Sequence, residues 1–169
     1  IVFGDGGTGT YSVEALRVLN FTGTGTVGIK IESTLKSVFK KLSSEGNAIN
    51  LLIEDTGTSL PTTLNIISSV FNSANAIGCK IINGSLINFV NCDFESSANE
   101  GVLIQPTSGN NAIDIRFDMC WFEANASAST YHFKADSTIA GAGTVRPILN
   151  NCYFDNTALA MHMTGAATA

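Results

Sequence analysis

The chain has 169 residues, enough for one domain with a sizeable core and too few for two full ones. Charged residues make up 14%; Ser, Thr, Asn and 16 glycines stand where a helical protein carries Lys and Glu, so the surface is expected to be strand and tight turn. A net charge of −5 with no basic cluster beyond Lys40-Lys41 weighs against nucleic-acid binding. No apolar run approaches the roughly 18–20 residues of a membrane span.

In chain order, the first feature is the run Gly4-Asp5-Gly6-Gly7-Thr8-Gly9. It lacks the Lys-Ser/Thr of a phosphate loop and is expected to be a turn. Tyr11 to Leu19 and Ser33 to Leu42 have helix-start features, with Ser12 or Ser33 as cap, but both are short and rich in β-branched residues. Elsewhere apolar and polar residues alternate: Val27 to Ile31, Ile77 to Ile81, Ile113 to Phe117 and Tyr131 to Lys134. Period-two alternation over four to six residues predicts strand.

The alternating segments belong to a repeat. Val90-Asn-Cys-Asp-Phe-Glu95, Asp118-Met-Cys-Trp-Phe-Glu123 and Asn150-Asn-Cys-Tyr-Phe-Asp155 align directly, each followed by small polar residues. Ile67 to Asn72, Val38 to Ser43 and Arg17 to Thr22 fit the same frame more loosely. The anchor column is then Phe21, Leu42, Phe71, Phe94, Phe122 and Phe154, at intervals of 21 to 32 residues. Parallel coiling keeps one residue in register across such unequal gaps, because each insertion leaves the stack as a loop.

Two residues before the anchor stand Leu19, Lys40, Ser69, Cys92, Cys120 and Cys152. Positions two apart on a strand share a face, so the Cys and Phe columns both point inward, with Lys40 as the exception. With Cys79 in a later strand and no zinc-like spacing, the four cysteines are expected to be reduced and buried, as in a cytoplasmic folding environment. The chain begins at Ile1 without Met and ends in Thr164-Gly-Ala-Ala-Thr-Ala169, and is expected to be part of a longer polypeptide.

This layout resembles the right-handed parallel β-helix of the pectate-lyase-like superfamily. Its Cys-x-Phe rungs with Ser/Asn turns look most like those of bacteriophage tailspikes. The resemblance implies an all-β, single-stranded, right-handed parallel β-helix of about six rungs over residues 13–163. A lead-in segment occupies 1–12 and a tail 164–169. Of the Gly-Asp-Gly-x-x-Asp-Asp entry segment of such tailspikes, Gly4 to Thr8 matches only the first half.

Residues flanking the anchor point outward. The column before it reads Asn20, Lys41, Val70, Asp93, Trp121, Tyr153, and the column after it Thr22, Ser43, Asn72, Glu95, Glu123, Asp155. The last three rungs therefore gather acids and aromatics on one surface. Aromatic faces stack on sugar C–H faces, and carboxylates accept hydroxyls or act as acid and base. Asp93, Trp121, Tyr153 and Asn72 are the candidate carbohydrate-binding residues, and Glu95, Glu123 and Asp155 the candidate catalytic ones. Carboxyls one rung (about 4.8 Å) apart suit a retaining pair, and Glu95 with Asp155, two rungs apart, an inverting one. Stacked acids repel, which raises a pKa toward that of a proton donor; plain surface or a subunit interface remains the competing reading of this face.

A second outward column reads Lys30, Leu52, Lys80, Leu103, His132, His162, with Tyr131, Phe133, Met161 and Met163 facing inward. The two histidines would sit one above the other, which is too few ligands for a metal site, and the leucines suggest that part of this face is covered. No metal or cofactor is expected. The resemblance implies a homotrimeric tailspike, carried on the virion and made in the host cytoplasm, that recognises and hydrolyses a bacterial capsule or O-antigen polysaccharide. Two alternatives stay open: a non-catalytic structural or adhesive module of a trimeric fibre, and a cellular enzyme of the pectate-lyase or polygalacturonase type.

Overall fold

The computed structural model describes residues 1–4, 9–55, 60–107, 113–125, 131–137, 144–155 and 159–165. The Asp5 to Thr8 part of the glycine-rich run and the last four residues lie outside them. The described residues contain no helix. Both stretches with helix-start features are strand and bend instead: Ser12–Glu14, Arg17–Leu19 and Val38–Lys40 are strands, and Thr34 and Leu35 form single bridges. Their β-branched residues and lack of an uninterrupted apolar stripe favour extended backbone.

All strands pair in parallel, in three sheets of seven, six and six strands, coiled as a solenoid of about five turns. Sheet I contains Val27–Glu32, Ile49–Glu54, Ile77–Ile81, Val102–Ile104, Tyr131–Ser137 and Leu159–Gly165, and Val2–Phe3 adds to its edge. Sheet II contains Ser12–Glu14, Val38–Lys40, Thr62–Ile67, Ser85–Val90, Ile113–Asp118 and Val145–Asn150. Sheet III, the shortest-stranded, contains Arg17–Leu19, Ser43–Glu45, Val70–Asn72, Asp93–Glu95, Trp121–Glu123 and Tyr153–Phe154, which define rungs one to six.

Inward columns from the three sheets meet in one core. Ile29, Leu51, Cys79, Val102 and Phe133 stack from sheet I, and Phe39, Ile66, Phe89 and Phe117 from sheet II. Sheet III supplies Phe71, Phe94, Phe122 and Phe154. Like rings lie over like: Phe89 and Phe117 are 5.0 Å apart and 3° from parallel, Phe122 and Phe154 4.6 Å and 5°. Such pairs add roughly 0.5–1.5 kcal/mol each beyond the area they bury.

Sharp corners come from single left-handed residues. Ala15, Lys41, Ser68, Asn91, Met119 and Asn151, with φ of 48–62°, mark the bend between sheets II and III in successive rungs. Asn20, Gly46, Ser73, Ser96 and Ala124, with φ of 50–70°, mark the exit from sheet III. Two such corners around each three-residue strand make sheet III narrow.

The register corrects the first two rungs. Val18 and Ser44 occupy the anchor column below Phe71, not Phe21 and Leu42. Leu42 instead belongs to the cysteine column, where Val70 N–H donates to its carbonyl just as Asp93 N–H donates to that of Ser69 and Trp121 N–H to that of Cys92. Phe21 is exposed, and Lys40 faces outward in register with Glu14. The thiols of Cys92, Cys120 and Cys152 donate at 3.4–3.6 Å to carbonyls one rung below, of Ile66, Phe89 and Phe117. All four cysteines are free, and three are buried.

Candidate functional site

Sheet III brings most of the expected site residues onto one face. Glu95 pairs in register with Asn72 below and Glu123 above; Asp93 lies between Val70 and Trp121, and Trp121 lies below Tyr153. Inward Phe94 and Phe122 pin each strand, so their neighbours on either side must point outward. In rungs one and two the flanking columns read Arg17 and Ser43, then Leu19 and Glu45, replacing the expected Asn20 and Lys41, then Thr22 and Ser43. The acid column therefore begins lower, at Glu45, which Arg17 faces at 3.9 Å.

Trp121 and Tyr153 stack with ring centroids 4.0 Å apart and planes 28° apart, and both rings stay open to solvent. The indole Nε1–H donates to Glu123 Oε2 at 2.7 Å, which fixes the ring against the carboxyl. Burial, and then the charges of Asp93 and Glu123, hold Glu95 above the ordinary glutamate range. Burial and then Glu123 raise Asp93 in the same way. The face thus places the raised carboxyl of Glu95 one rung from a carboxyl that accepts the indole N–H. Burial raises the Cys79 thiol of sheet I, and the neighbouring Cys120 thiol and then burial raise that of Cys152.

Asp155 departs from the outward ladder. Its Oδ2 accepts the Ala124 N–H at 2.8 Å, and its Oδ1 lies 2.8 Å from Nε2 of buried His132, off the axis of a straight hydrogen bond. Behind that ring, Asn125 donates Nδ2–H to the Phe94 carbonyl at 2.7 Å and accepts the Ser97 N–H on Oδ1 at 3.0 Å. With the amide fixed both ways, its Nδ2 meets His132 Nδ1 at 3.2 Å, so Nδ1 accepts and the ring proton sits on Nε2, toward Asp155. Asp155 is therefore joined to the backbone immediately after Glu123.

His132 does not stack on His162 in the outward column of sheet I. Lys134 takes that place, and the column runs Lys30, Leu52, Lys80, Leu103, Lys134, His162. His132 lies at the entry corner of its strand, over Gly101; a Cβ on that glycine would come 2.6 Å from Asn125 Nδ2. His162 instead stacks on Tyr131 at 4.5 Å. Leu52 and Leu103 are buried between the lysine stems above and below them. Met161 and Met163 continue the inward columns of Phe133 and Ala135, yet both are half exposed in the last described rung.

Two features are not visible in the Cys-x-Phe repeat. Asn47 and Asn125 occupy one corner position and tie successive rungs, Asn47 Oδ1 accepting the Phe21 N–H as Asn125 accepts that of Ser97. The shared pattern Glu45-Gly46-Asn47 and Glu123-Ala124-Asn125 carried that signal and would have corrected rung two. The arginines of sheet II gave no signal, because Arg116 and Arg146 occupy non-equivalent positions of their strands.

No family model matches the sequence, and no curated protein matches it. Among solved structures, a tailspike protein, gp49, from the Acinetobacter baumannii bacteriophage Fri1, a capsular polysaccharide depolymerase, is similar in fold. At 19% identity and a TM-score of 0.67, the match covers 94% of this chain and 31% of that one, so this chain spans about a third of the phage protein's length.

Proposed function

We propose that this tailspike-like solenoid recognises a bacterial capsule or O-antigen polysaccharide on the sheet III face of rungs four to six, and hydrolyses it there. The observation that carries this reading is the exposed Trp121–Tyr153 stack beside Glu95 and Glu123. A sugar ring lies with its C–H face on the aromatic pair, and Asp93 and Asn72 accept its hydroxyls. Glu95 gives its proton to the glycosidic oxygen as that bond breaks. Glu123, about 4.8 Å away by rung spacing, attacks the anomeric carbon and forms a glycosyl ester, the geometry of a retaining pair. Water then opens the ester and returns a proton to Glu95. Asp155 is a positioning residue, acting through the Ala124 N–H on the strand that bears Glu123. In this reading the chain is part of a homotrimeric fibre on a phage virion; the fold it shares with a bacteriophage tailspike supports the virion setting.

The test is release of reducing ends from a panel of purified capsular and O-antigen polysaccharides. Glu95→Gln and Glu123→Gln are expected to lower turnover at least about 10²-fold while leaving the melting temperature unchanged or higher. Unchanged turnover in both variants would remove the catalytic assignment, and binding without product would favour an adhesive module. An unsaturated, ultraviolet-absorbing product would identify a lyase instead.

A further inference from the structure

Sheet II carries a groove of about 400 Å³ that the acid–aromatic reading leaves unused. Its lining is a grid of outward residues from three rungs: Leu86 and Asn88 below, Asp114 and Arg116 in the middle, Arg146 and Ile148 above. Asn88, Arg116 and Ile148 share one column, and Asp114 pairs in register with Arg146. The volume lies within the roughly 300–1,000 Å³ of small-ligand clefts.

Two of the three arginines in the sequence stand here, in a protein of net charge −5, each paired with one aspartate of its own sheet, Arg146 with Asp114 and Arg116 with Asp118. Arg146 grips Asp114 with Nε at 2.6 Å and Nη2 at 2.8 Å, which locks the guanidinium plane and leaves Nη1 uncommitted. Arg116 makes one contact, Nη2 to Asp118 Oδ2 at 3.2 Å, and half of its side chain is exposed. A planar, preorientated fork with spare N–H groups suits a carboxylate better than a hydroxyl.

The remaining walls fit a sugar ring. Leu86 and Ile148 are 52% and 59% exposed and offer an apolar surface to ring C–H groups. Asn88 donates Nδ2–H to Asn65 Oδ1 at 3.2 Å, which leaves its own Oδ1 as an acceptor. We propose that this groove binds an acidic sugar, a uronic-acid residue whose carboxylate lies on Arg116 and Arg146 and whose ring lies over Leu86 and Ile148. The site is separated from Trp121 and Tyr153 by the bend at Met119 and Asn151, and it stands or falls independently of catalysis on sheet III.

The probes are uronate oligosaccharides (galacturonate, glucuronate and hyaluronate fragments) and the same compounds after carboxyl reduction to neutral sugars, measured by calorimetry. The protein is expected to bind at least one acidic probe about tenfold more tightly than its reduced form. Arg116→Gln, alone and with Arg146→Gln, should abolish that preference and leave the melting temperature in place. No preference for any acidic probe, or a preference that survives the double substitution, overturns the proposal. Loss of all glycan binding in Trp121→Ala with none in the arginine variants also overturns it while supporting the sheet III reading. The reverse pattern supports the groove and removes the binding face from sheet III.

Discussion

Glu95 shares its strand with Asp93 and its column with Glu123, and burial together with those two charges raises its pKa. The folded chain therefore holds the proton more firmly than the unfolded chain does. That contribution to stability is present below the ordinary glutamate pKa of about 4.3 and is lost as pH rises through the raised value. Asp93 acts in the same direction. The melting temperature is predicted to fall as pH rises across this window, and Glu95→Gln to remove part of the slope and melt higher than the wild type at pH about 7. Parallel pH profiles for the two proteins would contradict this. Residue identities and the outward faces of rungs four and five were legible from alternation. The direction of Asp155 was not, because it depends on His132, a buried ring from an earlier strand that alternation had placed at the surface.

At the scale of the element, each sheet III strand is only two or three residues long, and the first five are bounded on both sides by left-handed corners, so each depends on its neighbours above and below. Phe94 meets Phe71, Phe89, Phe117 and Phe122 at centroid distances of 5.2–6.0 Å. Phe154, in the sixth rung, is partly buried and packs on Phe122 at 4.6 Å and His132 at 6.1 Å. Phe94→Ala is predicted to cost about 3–5 kcal/mol in urea unfolding, and Phe154→Ala roughly 1–2 kcal/mol. Equal losses would mean that the core is not graded along the stack. The anchor column was legible where Cys-x-Phe recurs. It was lost in rungs one and two because Val18 and Ser44 are smaller residues there, and the larger Leu42 and Phe21 nearby drew the alignment off by two and three positions.

Over the whole molecule, parallel stacking turns one repeat into faces of different chemistry. Sheet III presents acids and aromatics, sheet II an arginine-lined groove, and sheet I lysines spaced by buried leucines. The solenoid was legible from the repeat because unequal insertions preserve register only in a parallel coil. The sheet II groove was not, because it is built between rungs by residues that no single repeat places together. The central claim is that a glycan lies on the Trp121–Tyr153 pair. Trp121 is the only tryptophan in the chain, so its emission reports on that surface alone. The direct measurement titrates Glu95→Gln protein with a polysaccharide that calorimetry shows it binds, while following tryptophan emission and iodide quenching. A saturable emission change with protection from iodide, at the concentrations calorimetry gives, is the predicted result; full calorimetric binding with emission and quenching unchanged would contradict it.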